Sequence, residues 1–146
     1  MSLFKETSRY GVVFLMLFLS QSDPAFWERF GFEGAPVAFQ ALDLAGTLRH
    51  LHSTGVDHMR VVDARPRARF AAGHIPGARS LQEIPESVGD CPDLADAGEL
   101  LIYCDNSLCS RAEVVAGKMG RFLSARLYVY RGGWEEWSSA GLPVER

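Results

Sequence analysis

From Val37 onward the chain alternates short apolar runs with stretches whose apolar residues recur at helical spacing. Strand and helix periods taking turns along one chain permit few architectures, chiefly a parallel sheet covered by helices on both faces. The pattern centres on Leu100-Leu-Ile-Tyr103, a continuous apolar run of the kind found in strands buried on both sides. Around it, Val37–Phe39, Met59–Asp63, Ala78–Leu81 and Leu127–Tyr130 read as further strands.

The helices are marked by their ends. Asp43 is placed to cap a helix carrying Leu44, Leu48 and Leu51 on one face, ended by Gly55. Pro66 suits a first helical turn and Gly73 a helix end, giving a short helix over Pro66–Ala72. Ser110-Arg-Ala-Glu113 matches a capping box, and Ala112, Val115, Ala116, Met119 and Leu123 follow at helical spacing. A last helix runs from Trp134 to Ala140, stopped by Gly141 and Pro143.

At 146 residues, 47% of them hydrophobic and 23% charged, the chain is long enough for one buried core. Its net charge of −3 argues against a dedicated nucleic-acid binder, which needs a basic face. Three cysteines are too few for a disulfide-built scaffold.

Residues 1–22 read differently. Lys5 and Arg9 precede the apolar run Tyr10–Leu19, and Ser20-Gln-Ser22 follows as a poor imitation of a cleavage site. The run is shorter than the roughly 20 apolar residues of a full span. An export signal or membrane anchor is the expectation, which favours a periplasmic or membrane-anchored protein slightly over a cytoplasmic one. The alternative is an apolar helix packing on its own domain or on a second copy in a homodimer. Residues 23–36, with Trp27, Phe30 and Phe32, read as a connector.

In a parallel sheet, ligands collect at the carboxyl ends of the strands. Tyr103-Cys104-Asp-Asn-Ser-Leu-Cys109-Ser110-Arg111 is such a junction, leading from the most buried strand into the best-marked helix. A thiol there faces unpaired N–H groups and the positive end of a helix, which stabilise a thiolate and attract anions. The plainer reading of Cys104 is a small buried residue ending a strand.

Three segments carry a family resemblance: Val62-Asp63-Ala-Arg65 with Phe70-Ala-Ala-Gly73-His-Ile-Pro-Gly77-Ala78, then Tyr103-Cys104 with its short loop, then Tyr130-Arg-Gly-Gly-Trp134-Glu-Glu-Trp137 with Gly141-Leu-Pro143. In this order they resemble the signatures of rhodanese-like domains, over residues 37–146. The resemblance implies an α/β fold with a five-stranded parallel sheet and helices on both faces, beside the N-terminal apolar helix. It also implies a sulfurtransferase. Cys104 would take a sulfane sulfur from a small sulfur-containing anion or a protein persulfide and pass it to a thiol or cyanide-like acceptor. The loop Asp105, Asn106, Ser107, Leu108, Cys109 and Ser110 would cradle that sulfur, with no cofactor and no metal.

The loop departs from the family in three ways. Asp105 should repel a dianionic donor such as thiosulfate, since thiosulfate-using members often have basic residues there. Cys109 stands where Arg or Thr is common, and the first cation after Cys104 is Arg111. Cys109 is either a resolving thiol, which would allow a Cys104–Cys109 disulfide, or a buried helix-start residue. Asp63 and Arg65 are expected to tie their strand end together as a carboxylate–guanidinium pair, at a place that could face the same cleft. His74 reads as a turn residue, and Trp134 and Trp137 as core. His50, His52 and His58 lack metal-site spacing, and Cys91 has no evident partner.

Two other functions remain open: a dithiol–disulfide redox element on Cys104 and Cys109, and a non-catalytic partner-binding module of the same fold. A phosphatase of related fold is disfavoured, because it needs Arg six residues after the cysteine and Ser110 stands there.

Overall fold

The computed structural model describes residues 39–53, 59–81 and 83–146. Five strands form one sheet in the order β1-β5-β4-β2-β3, every adjacent pair parallel. They are β1 Gln40–Leu42, β2 Met59–Asp63, β3 Ala78–Ser80, β4 Glu99–Tyr103 and β5 Arg126–Tyr130. The helices are α1 Leu44–Ser53, α2 Arg67–Ala72, α3 Arg111–Met119 and α4 Gly133–Ser139, with two 3-10 turns, Val88–Asp90 and Pro92–Leu94, before β4.

Side chains alternate across a strand, so each central strand feeds two cores. On one face Val62, Leu100, Ile102, Leu127 and Val129 pack with Ala112, Val115, Ala116 and Met119 of α3. On the other, Val61, Leu101, Tyr103, Tyr128 and Tyr130 pack with Ile75, Trp137 and the partly buried Leu44, Leu48 and Leu51 of α1. All five residues of β4 are buried, which is why its sequence shows no polar alternation. Cys104 follows β4 and falls in the α3-side core.

The Asp43 cap forms as expected, its Oδ1 accepting the Gly46 N–H at 2.7 Å. Three local expectations need correction. The first strand is Gln40–Leu42 and not Val37–Phe39; Phe39 precedes it, because pairing with Tyr128–Tyr130 of β5 sets where the edge strand begins. Pro66 lies just before α2 and not in its first turn, with its carbonyl accepting the Arg69 and Phe70 N–H groups.

The capping box at Ser110 does not form. Ser110 already has helical backbone angles and its side chain makes no cap bond. Its carbonyl accepts the Val114 N–H, and Glu113 turns instead to Arg131, 3.1 Å away.

The apolar segment 1–22, the connector 23–36, Val37, Ala38, Gly55 and His58 lie outside the described residues. Among the described residues, no helix is long and apolar enough to cross a membrane.

Candidate active site

Parallel pairing brings the ends of β2 and β4 together, with Asp63 in register with Tyr103. Asp63 and Arg65 are fully buried and bonded through both carboxylate oxygens, at 2.6 to 3.1 Å. Arg65 also donates to the Gly73 carbonyl at 2.7 Å and lies over the Trp134 ring at 4.6 Å. Burial works against the Arg65 charge, but the bond and charge of Asp63 outweigh it and hold the guanidinium above its usual pKa. Tyr103 donates to Asp63 at 2.6 Å and accepts the Ile75 N–H at 3.1 Å. Burial first, then the Asp63 charge, pushes its phenol far above the ordinary tyrosine range. Neither Asp63 nor Arg65 faces the cleft, so the expectation that they could is corrected: the pair is a buried tie.

The loop after β4 is clamped from α4. Trp134 N–H donates to the Cys104 carbonyl and Glu135 N–H to the Asp105 carbonyl, both at 2.9 Å. Gly133 makes this approach possible at φ +62°, where a Cβ would lie 3.0 Å from the Asp105 carbonyl carbon and closer still to the Cys104 carbonyl oxygen. The turn itself is closed by Asn106, whose carbonyl accepts the Cys109 N–H and whose Oδ1 accepts the Leu108 N–H, both at 3.1 Å. Those two amides are therefore spent inside the loop, so the expected cradle from Asp105 to Ser110 is narrower than its sequence suggests.

The two loop cysteines are joined in a disulfide, Cα to Cα 6.2 Å. Cys104 is buried at 4% exposure, Cys109 is half-buried, and Leu108 beside it is 91% exposed. About 10 Å³ of free space adjoins both cysteines, walled by Ala112, Val129 and Tyr130. That is room for one water-sized group. A wider cleft of about 560 Å³ opens at the same carboxyl end of the sheet, shared through Asn106, Ser107 and Arg131 and bordered by Asp43, Glu135 and Glu136.

Residues 45–140 match the family described as Rhodanese-like domain. The chain belongs to the rhodanese-like domain family. An HTH-type transcriptional regulator of Mycobacterium tuberculosis is 30% identical to it over 118 residues, 76% of this chain and 51% of the regulator. The chain thus spans about half the length of that curated relative. Among solved structures, the BH2092 protein of Bacillus halodurans is similar with TM-score 0.62 and 25% identity, over 73% of this chain and 76% of that one. A thiosulfate sulfurtransferase of Pseudomonas aeruginosa shares the fold with TM-score 0.60 and 23% identity, over 77% of this chain and 20% of the other.

The rhodanese-like loop is positioned by two residues outside it whose roles the sequence did not announce. Arg69 of α2 reaches Asp105 at 2.7 Å, across 36 positions of sequence. The repulsion expected of Asp105 toward an anionic donor is therefore offset by a guanidinium beside it. Gly133 is the other, a positioning residue for the Cys104 backbone. Arg111 opens α3 as the sequence places it.

The remaining residues sit in the framework. His74 donates from Nδ1 to the Phe70 carbonyl at 2.9 Å, stacks on the Phe70 ring and pairs by backbone with Glu145. Trp137 is core and Trp134 packs partly buried beside it. His50 lies against Tyr128. Cys91 is fully buried, and burial raises its thiol pKa. Among the described residues, no group of three or more His, Cys, Asp or Glu is placed to hold a metal ion.

Proposed function

We propose that this rhodanese-like domain is a sulfurtransferase that carries sulfane sulfur as a persulfide on Cys104. The reading rests on one observation above the others: Cys104 stands at the carboxyl end of the central strand with its backbone clamped by Trp134 and Glu135. Its sulfur lies beside a space the size of one added atom. Reduction of the Cys104–Cys109 bond frees the nucleophile. Its thiolate attacks the outer sulfur of a small sulfur anion or protein persulfide, and the donor leaves with the bonding pair. A thiol or cyanide-like acceptor then attacks the terminal sulfur and restores the thiolate, a double displacement through a covalent intermediate. Loop amides and the first turn of α3 stabilise the negative sulfur between the two steps.

Thiocyanate formation by the reduced chain, with a sulfane donor and excess cyanide, tests this directly. Cys104→Ala should abolish it, whereas turnover retained in that variant would defeat the proposal. A second reading, a dithiol–disulfide element, draws support from the Cys104–Cys109 bond. Under it, Cys109→Ser would lose all sulfur turnover. A non-catalytic partner-binding module gains no support from a loop that retains the cysteine.

A further inference from the structure

We propose that Cys109 discharges the sulfur held on Cys104 as hydrogen sulfide, making this loop a persulfide reductase that consumes an external dithiol. The inference builds on the sulfurtransferase reading and assigns the fate of the carried sulfur.

The product of the discharge is present in the fold. Cys104 and Cys109 are bonded, their Cα atoms 6.2 Å apart, within the ordinary disulfide range. The same structure keeps the Asn106 turn, with both its hydrogen bonds, and the Trp134 clamp on the Cys104 carbonyl. No rearrangement of these contacts is required for one sulfur to reach the other. The free space beside the pair is about 10 Å³, room for one water-sized group, and it meets the wider cleft at Asn106 and Ser107. The thiol within bonding reach of the inner sulfur of a Cys104 persulfide is that of Cys109.

In the discharge, the Cys109 thiolate attacks Cys104 Sγ and the bond from Sγ to the terminal sulfur breaks. The terminal sulfur leaves as HS⁻ with the bonding pair and takes up a proton. Two cysteines are oxidised by two electrons to the disulfide, and one sulfane sulfur is reduced by two electrons to sulfide. A hydrosulfide is a better leaving group than an alkyl thiolate, which favours this direction of cleavage.

Recovery needs a dithiol reductant. Cys104 is buried and Cys109 half-buried, next to the exposed Leu108, so the entering thiolate attacks Cys109 Sγ and expels the Cys104 thiolate. The second thiol of the reductant then resolves the mixed disulfide and leaves as a disulfide, returning both cysteines reduced.

The test is a single turnover of the full-length chain. Protein reduced with dithiothreitol and desalted is mixed with one equivalent of an arenethiosulfonate, which delivers a sulfane sulfur and leaves as arenesulfinate without yielding sulfide. Wild type should release about one sulfide per chain and end two hydrogens lighter than the reduced protein. Cys109→Ser and Cys109→Ala should each stop one sulfur atom heavier, with no sulfide, until cyanide removes that sulfur as thiocyanate. Cys91→Ala should release sulfide as wild type does. A wild-type chain that holds its persulfide as the Cys109 variants do would overturn the inference and leave the sulfurtransferase reading standing. Failure of every variant to take up sulfur or form thiocyanate would overturn both.

Discussion

Gly133 shows how much of this site depends on single residues. Its positive φ and its contact with the Cys104 and Asp105 backbone leave no place for a methyl group. Gly133→Ala should cost at least about 1–3 kcal/mol, read as a lowered urea midpoint, and should cut thiocyanate formation by displacing the loop. Arg69 acts by charge instead. Its pair with Asp105 is 63% and 27% exposed, so Arg69→Ala should change stability by less than about 1 kcal/mol. Its effect should fall on KM, raised several-fold for thiosulfate and little for an uncharged trisulfide donor, with the difference shrinking at high salt. Asp63→Asn is the opposite case. It strands a buried guanidinium and should destabilise by about 3–5 kcal/mol in equilibrium unfolding. The Asp63–Arg65 tie was legible because the two residues are neighbours in sequence. The Arg69–Asp105 pair was not, since only the parallel pairing of β2 with β4 brings their following loops together.

Among the elements, β4 was the most legible, because Leu100–Tyr103, buried on both faces, form an unbroken apolar run. Its last residue adds a dependence on pH. Burial and the Asp63 carboxylate keep the proton on Tyr103 in the folded state at pH values where the unfolded chain releases it. Stability from this source is full below about pH 10, the ordinary tyrosine value, and is lost as pH rises above it. Tyr103→Phe should therefore flatten the alkaline fall in the urea midpoint. Part of the fall should persist through Tyr130, whose phenol is raised by burial and by its bond to Glu136. The start of α3 was legible in position but misleading in detail. Ser110 and Glu113 have capping-box spacing, yet Arg131 of the loop after β5 claims Glu113. A local motif carries no information about a competing partner brought in by another strand. Gly133 was hidden for a similar reason: the closing motif marks a turn, and only the folded sheet lays that turn against the cysteine loop.

For the whole molecule, the alternation of strand and helix periods implied a parallel sheet covered on both faces and the family resemblance implied five strands; that sheet forms, with a core on each face. For residues 1–22, export or membrane anchoring is our proposal. Full-length protein on isolated membranes should resist a sodium carbonate wash or be recovered shortened at its N-terminus; full-length protein wholly in the wash would reject both. The proposed chemistry requires a persulfide at Cys104, most directly tested by intact mass on the Cys109→Ser chain, which lacks the competing exit. After reduction, desalting and one equivalent of arenethiosulfonate, this chain should become one sulfur atom heavier. Fragmentation should place that sulfur on Cys104, and cyanide should return the chain to its starting mass. An unchanged mass, or a sulfur atom found on Cys91, would contradict that chemistry.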